Sequence, residues 1–324
     1  MAMSSSVSES AQPVPHGGGS IIEARELCKT FGSARAVRSV SFSVGRGEIF
    51  GFFGPNGAGK TTTIRLLCGH TPPTSGSATV CGVDLCREPT GVRRNLAMMQ
   101  EEVSYYERMT PASYLRFFAG MAGFSAGTAR ERIEKAVTLA ETGAFMDKPI
   151  SVLSHGQRQK VSIARVLLSD VPVMFLDEPF QGIDIVHRKA LREHLRRFVA
   201  EKGTVFFTSH NLIEAEHIVD RFAFIDSGSL LTIGTARELR DRYLLPSYSL
   251  RVSDPARAQR VLADGLGAPE CVIKGDEVVL TLKDAADAPK VAVLLGTAGI
   301  SLLEMKQLGT MEEVFLRMRK EAGR

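Results

Sequence analysis

Three short stretches of this sequence hold residue types that could do chemistry together. "GPNGAGKTTT" starts at Gly54 and fits G-x-x-x-x-G-K-[ST] through Gly54, Gly59, Lys60 and Thr61. Glycines at that spacing let backbone N–H groups curl around phosphate oxygens. The lysine then reaches the outer phosphates, and the threonine hydroxyl can bind Mg2+. "VMFLDEP" closes a hydrophobic run with Asp177 and Glu178. Carboxylates at the C-terminal edge of a parallel strand sit where such sheets bind ligands. Alone they would read as a solvated strand end; beside a phosphate loop, Asp177 reads as a metal-shell ligand and Glu178 as the group that polarises a water. The third stretch is "LSHGQ", residues 153–157, which runs into a helical pattern with Val161, Ala164 and Leu168 on one face. A helix start offers unpaired N–H groups and the positive end of a dipole, and Ser154 and Gly156 would let an anion approach it.

The elements that must hold these stretches follow from hydrophobic period. "GEIFGFF" before the glycine loop reads as a buried strand, and a helix is expected from about Thr61 to Cys68. Residues 100–169 read as mostly helical. Pro111 suits a first helical turn, and Gly143 is expected to stop the helix that carries Ile133, Ala136, Val137 and Ala140 on one face. Strand "VPVMFLDE", helix "HRKALREHLRRFVAEKG", strand "TVFFTSH" and helix "NLIEAEHIVD" follow. Strands alternating with helices imply a mainly parallel sheet covered on both faces, and the helical middle reads as a separate lobe. After about Tyr243 the order becomes βαββαβ, with a hairpin turning at Gly275-Asp276, which is the order of a small ferredoxin-like domain. The expected architecture is therefore α/β: a phosphate-loop core over residues 21–243 with a helical lobe at 100–169, and a small α+β domain over 244–324.

Composition narrows the function classes. A chain of 324 residues suggests about two domains. A net charge of +4 is too mild for bulk nucleic-acid binding, and no nucleic-acid partner is expected. Five cysteines without CxxC or zinc spacing read as reduced thiols in a cytoplasmic protein. No apolar run is long enough to span a membrane. Residues 1–20, rich in Ser, Pro and Gly and lacking an apolar h-region, read as a disordered tail rather than a secretion signal.

From about Ile22 to Thr235 the chain resembles the ATP-binding subunit of an ABC transporter. Beside the glycine loop, "LSHGQ" resembles that family's LSGGQ motif, Gln100 in "MMQEE" its Q-loop glutamine, "FQGID" ending at Asp184 its D-loop, and His210 after "FFTS" its switch histidine. Phe31 stands where the family places an aromatic ring against adenine. The resemblance implies ATP and Mg2+ as ligands. It implies nucleotide contacts at Phe31, Gly54, Asn56, Gly57, Gly59, Lys60, Thr61, Thr62, Ser154, Gly156, Gln157 and Asp184. Metal contacts are implied at Thr61, Gln100 and Asp177, and catalytic roles at Glu178, His210 and Gln100. It also implies a head-to-tail pair of chains, each glycine loop facing the other's "LSHGQ", docked on a separate permease at the inner face of the cell membrane. The tail, from "TARELRDRY" to "MEEVFLRM", resembles the extension of drug-resistance exporters and favours export. The rival reading is a soluble ABC ATPase acting on a non-transport partner. His155 departs from the motif's first glycine; if that position needs a positive φ, the histidine costs about 1 kcal/mol or more. The basic run from Arg188 to Arg197 reads as a solvated helix face.

Overall fold

The computed structural model describes residues 19–100 and 106–323. The expected tail up to residue 18 lies outside the described residues, and Ser20 already opens the first strand. The described chain falls into two compact units that divide between Thr232 and Ile233.

In chain order the strands of the first unit are β1 (Ser20–Phe31), β2 (Ala34–Gly45), β3 (Ile49–Phe53), β4 (Ser75–Val80), β5 (Val83–Asp84), β6 (Leu96–Met99), β7 (Val173–Asp177), β8 (Thr204–Ser209), β9 (Arg221–Asp226) and β10 (Ser229–Gly234), the last running across the division. Its helices are α1 (Lys60–Leu67), α2 (Pro89–Arg94), α3 (Pro111–Met121), α4 (Ala126–Ala140), α5 (His155–Leu167), α6 (Ile185–Ala200) and α7 (Leu212–Glu216). The central sheet has the order β10-β9-β3-β8-β7-β6, and the pairings from β9 through β6 are parallel. Every residue of β3, β7 and β8 is buried. That is why these strands read as unbroken apolar runs rather than alternating ones. Phe42, Phe50, Phe52, Phe175 and Phe206 meet on one face of the sheet, with ring centroids 5.4–5.9 Å apart. The mainly parallel sheet stands beside an antiparallel one, β2-β1-β4-β5, built from the stretch that opens the chain.

The helical lobe holds α3, α4 and α5. Thr110 and Ser125 cap α3 and α4 with their side-chain oxygens. Gly143 does not stop α4: the helix ends at Ala140, and Glu141 takes the left-handed cap at φ 50°. Gly143 instead opens a 3-10 turn. The helix in "NLIEAEHIVD" is also shorter than its pattern, ending at Glu216.

The second unit contains α8 (Ala236–Tyr243), β11 (Ser247–Val252), α9 (Pro255–Leu266), β12 (Glu270–Lys274), β13 (Glu277–Thr281), α10 (Ala288–Thr297), β14 (Leu302–Gln307) and α11 (Met311–Glu321). Its antiparallel sheet has the order β12-β13-β11-β14, the order of a ferredoxin-like βαββαβ unit. Leu250, Leu262, Leu280, Val291 and Leu295 form its core. Helix α8 packs with α11, and Arg240 of α8 donates to the Gly309 carbonyl at 2.9 Å. These contacts place α8 in the second unit, whereas the texture of the sequence changes only near Tyr243. No helix among the described residues is long and apolar enough to cross a membrane.

Candidate functional site

The glycine loop leaves the C-terminal end of β3 and enters α1. Gly57 and Gly59 lie at φ 79° and 107°. A Cβ on Gly59 would also run into the Ala36 carbonyl of β2, and one on Gly54 into the Ile225 carbonyl. The loop therefore curls as it does because these positions carry no side chain. Its free N–H groups and the start of α1 make a cradle for phosphate oxygens. Asn56 and Gly57 are exposed at its mouth, and Thr61 and Thr62 are half-buried on the first turn of α1. Lys60 is only 7% exposed. Its amine donates to the Gly54 carbonyl at 2.9 Å and the Pro55 carbonyl at 3.3 Å, and stands 3.6 Å from Glu178 Oε1.

Glu178 follows β7 at φ 49°, a left-handed backbone that a residue with a Cβ rarely adopts. The kink is held from β8. The Glu178 N–H donates to the Thr208 carbonyl at 3.2 Å. Ser209 Oγ donates to Glu178 Oε2 at 3.0 Å, and His210 Nδ1 lies 2.9 Å from Oε1. The carboxylate is thus 5% exposed and shared among Lys60, Ser209 and His210. The His210 ring is about half exposed, so the cluster has a buried end and an open end.

Asp177 is fully buried at the end of β7. Its Oδ1 accepts from Thr208 Oγ1, while Oδ2 is buried with no hydrogen-bond partner. Burial pushes this carboxyl above its ordinary range and Glu178 adds to that; the Thr208 and Thr61 hydroxyls and Lys60 oppose it. A buried, partnerless carboxylate oxygen associated with a threonine hydroxyl fits a hard divalent cation. Mg2+ is commonly held by one or two carboxylates together with substrate phosphates rather than by a full protein cage. Among the described residues no cluster of three His, Cys, Asp or Glu could hold a metal alone.

Ser154 caps α5 in a reciprocal capping box with Gln157: Ser154 N–H donates to Gln157 Oε1 at 3.0 Å and Gln157 N–H to Ser154 Oγ at 3.3 Å. His155 is the first residue of this helix and has no positive φ. The strain that a histidine would suffer in a glycine conformation does not arise. Instead its ring edge lies close beside Gly182, where an added Cβ would sit 2.6 Å from His155 Cδ2. Gly156 is equally tight: a Cβ there would sit 2.8 Å from the Gly182 carbonyl oxygen. The "LSHGQ" turn is therefore packed on the turn that links Glu178 to Asp184. Asp184 ends that turn, capping α6 by accepting from the His187 N–H at 3.2 Å.

Two expected site residues stand apart. Phe31 is 52% exposed at the β1–β2 turn, with the Lys29 amine 4.9 Å from its ring centre. It is no core residue, and an exposed ring can stack on a base. The same hairpin reaches the glycine loop through Ala36. Gln100 is half-buried at the end of β6, its amide 3.9 Å from Met98 Sδ. Residues 101–105 beyond it lie outside the described residues. The sequence reading missed Thr208, Ser209 and Gln159. Gln159 is buried on α5 and donates to the Glu178 carbonyl at 3.4 Å. "FFTSH" carries the first two beside His210, but nothing local tells which carboxylate each would bind.

Comparison with known proteins bears on the whole chain. Residues 37–181 match the model of a family described as ABC transporter. The chain is 37% identical over 223 residues to the probable multidrug ABC transporter ATP-binding protein YbhF of Escherichia coli, covering 69% of this chain but 38% of that protein. With the daunorubicin/doxorubicin resistance ATP-binding protein DrrA of Streptomyces peucetius the identity is 32% over 305 residues, covering 92% of each. The chain belongs to the ATP-binding proteins of ABC transporters. A solved ATP-binding subunit of an ABC transporter superposes with a TM-score of 0.65 at 29% identity, covering 69% of this chain and 93% of that one. A dimeric ATP-binding cassette bound to ADP and Pi gives 0.62 at 21% identity, covering 66% of this chain and 98% of that one, and shares the fold. The match to DrrA extends over most of the chain, well past the stretch aligned with YbhF.

Proposed function

We propose that this chain binds and hydrolyses ATP as one of a pair of identical subunits, and that the cycle drives a separate membrane permease exporting a drug, antibiotic or lipid-like compound. The observation that carries the hydrolytic reading is the Glu178 carboxylate, buried yet bonded to Ser209 and His210 and 3.6 Å from the Lys60 amine. A carboxylate so fixed can orient and polarise one water against the outermost phosphate, while Lys60 and the loop N–H groups carry the charge that develops there. Asp177 and Thr61, with Gln100, would hold Mg2+, which when bound spreads the negative charge of the phosphates. His210, half exposed beside Glu178, is placed to contact the terminal phosphate. Phe31 supplies a ring for the base. DrrA and YbhF, named for drug resistance and multidrug transport, support export.

The pairing is argued from Ser154. It caps a helix start, is exposed, and offers an anion site on the side the glycine loop does not wrap. Lys60→Ala damages the loop of its own chain; Ser154→Ala damages the turn that closes over the phosphate. If closure is between chains, a mixed pair carries both lesions in one site and leaves the other whole. A tag-selected mixed pair is expected to recover ATP-dependent association and turnover that either homodimer lacks. Verified mixed pairs showing neither gain would rule out closure between chains.

A further inference from the structure

The basic run on α6 is not the solvated helix face its composition suggests. Arg196 pairs with Asp220 at 2.7 Å, and the side chains of Arg188 and Arg192 are only 26% and 24% exposed. Both turn toward Glu214 on the first turn of α7, Arg188 at 2.8 Å and Arg192 at 3.8 Å. Arg188 makes a second bond as well: its Nε donates to the Ile183 carbonyl at 2.6 Å, while its Nη1 donates to Glu214 Oε1 at 2.8 Å. One planar guanidinium therefore holds a backbone carbonyl and a carboxylate that come from different segments of the fold.

Those two segments both lead to Glu178. Ile183 is buried at the far end of the turn that Glu178 opens, and two bonds inside that turn shape it: Gln181 N–H to the Glu178 carbonyl at 3.1 Å and Ile183 N–H to the Phe180 carbonyl at 3.4 Å. On the other side, the Glu214 N–H donates to Asn211 Oδ1 at 3.2 Å, and the Asn211 N–H donates to Ser209 Oγ at 3.0 Å. Ser209 Oγ donates in turn to Glu178 Oε2 at 3.0 Å. The bonds make a ring. It runs from Glu178 along its own turn to Ile183, through Arg188 to Glu214, and back through Asn211 and Ser209 to the Glu178 carboxylate. His210 lies inside the stretch that the ring fixes, between Ser209 and Asn211.

We infer that Arg188 closes this ring and so sets the turn after β7 and the segment after β8 at a fixed distance on either side of the Glu178 carboxylate. It is a positioning residue that touches no reacting atom, and its effect on turnover rests on the hydrolytic role proposed for Glu178. The turn needs such a tie because its backbone bonds are few and Glu178 itself sits in a left-handed conformation at φ 49°. Glu214 keeps Arg192 as a partner when Arg188 is removed, so the variant loses the tie without leaving that carboxylate unpaired.

Two substitutions in the full chain test this. Arg188→Met keeps an unbranched stem and removes both donations. Arg188→Lys keeps the charge beside Glu214 but replaces the planar fork with a single nitrogen. A misplacement of about 1 Å at a catalytic group can cost on the order of a hundredfold, so the partial loosening in Arg188→Met is expected to lower kcat about tenfold with KM for ATP unchanged. Arg188→Lys should recover only part of that loss. Wild-type kcat in either variant overturns the tie, as does a rise in KM without a fall in kcat. In a Ser209→Ala background Arg188→Met should cost little more, because a ring opened once is open; losses that multiply in full would mean the two residues act independently. Hydrogen exchange reads the ring without hydrolysis. Losing a charge-assisted bond should speed exchange by about tenfold at Gln181 and Ile183 and at Asn211 and Glu214 together. Faster exchange on one side alone would make Arg188 a local brace and overturn the inference. If the wild type hydrolysed no ATP at all, the hydrolytic reading would fail while exchange still decided the coupling. Should Arg188→Met not fold, Arg188→Lys carries both measurements.

Discussion

Two loops leave the C-terminal ends of β3 and β7, parallel strands on either side of β8, and meet at Lys60 and Glu178, yet they are built in opposite ways. The loop from β3 is shaped by its own backbone. Glycines fill its left-handed positions, and Lys60 is held by carbonyls five and six residues away. The turn from β7 begins with a glutamate in a left-handed backbone and is held by side chains from elsewhere: Ser209 at the end of β8 and His210 just after it, Gln159 and His155 on α5, and His187 on α6. The first loop is a prefabricated cradle. The second exists only once three other elements are in place. A phosphate grip can be local because backbone N–H groups are available anywhere. A single carboxylate aimed at a single water needs fixing from several directions, and a short segment cannot supply them.

That contrast predicts separable failures. Glu178→Gln keeps size and hydrogen bonding but removes the charge that polarises water. Turnover should fall by on the order of 10²–10⁴-fold, the range general-base catalysis supplies, while ATP binding and ATP-dependent association persist or lengthen. Parallel loss of ATP binding, measured by equilibrium titration, would mean that the second turn also shapes the cradle and would break the contrast.

Gly59→Ala attacks the first loop in its own terms. The alanine meets both a φ of 107° and the Ala36 carbonyl, and a residue in so rare a conformation costs on the order of 1–3 kcal/mol. ATP affinity should drop about tenfold or more, and any residual turnover at saturating ATP should keep the wild-type response to pH, because Glu178 and its supports are untouched. An altered pH response in this variant would show that the two loops are not independent.

The smallest expected effect concerns Asp177 and stability. Its carboxyl is raised by burial. A carboxyl whose folded pKa lies above its unfolded one adds stability at low pH and loses it as pH rises through the folded value. Without nucleotide, Asp177→Asn should therefore gain on the wild type as the pH rises through the raised value of the Asp177 carboxyl. A shift of about 2–4 °C in Tm is expected per kcal/mol for a unit of this size. Nucleotide with Mg2+ should raise the wild-type Tm more than the variant's. A gap that narrows with rising pH would mean that Asp177 is already satisfied as an anion.

The sequence by itself determined the local features of this protein. Spacing alone marked the glycine loop, because phosphate binding by backbone requires glycines at set intervals. Unbroken apolar runs marked β3, β7 and β8, because strands buried on both faces have no polar side to show. The order of elements after about Tyr243 was legible from a hairpin and the helical and strand-like runs around it. Gly143 misled as a helix stop because the left-handed cap of α4 is taken two residues earlier by Glu141, a residue whose type does not advertise that conformation. Whether His155 is a strained replacement for glycine turned on the φ of that position, and the fold shows an ordinary helical backbone with the ring beside Gly182. The supports of Glu178 and the membership of α8 in the second unit were decided only by tertiary structure. Thr208, Ser209 and Gln159 are common residues in unremarkable surroundings, and they acquire roles only because parallel strand order sets β8 beside β7 and packing sets α5 against the turn that follows it. Backbone chemistry repeats along the chain and can be read from spacing; convergence of side chains depends on which elements the fold makes neighbours.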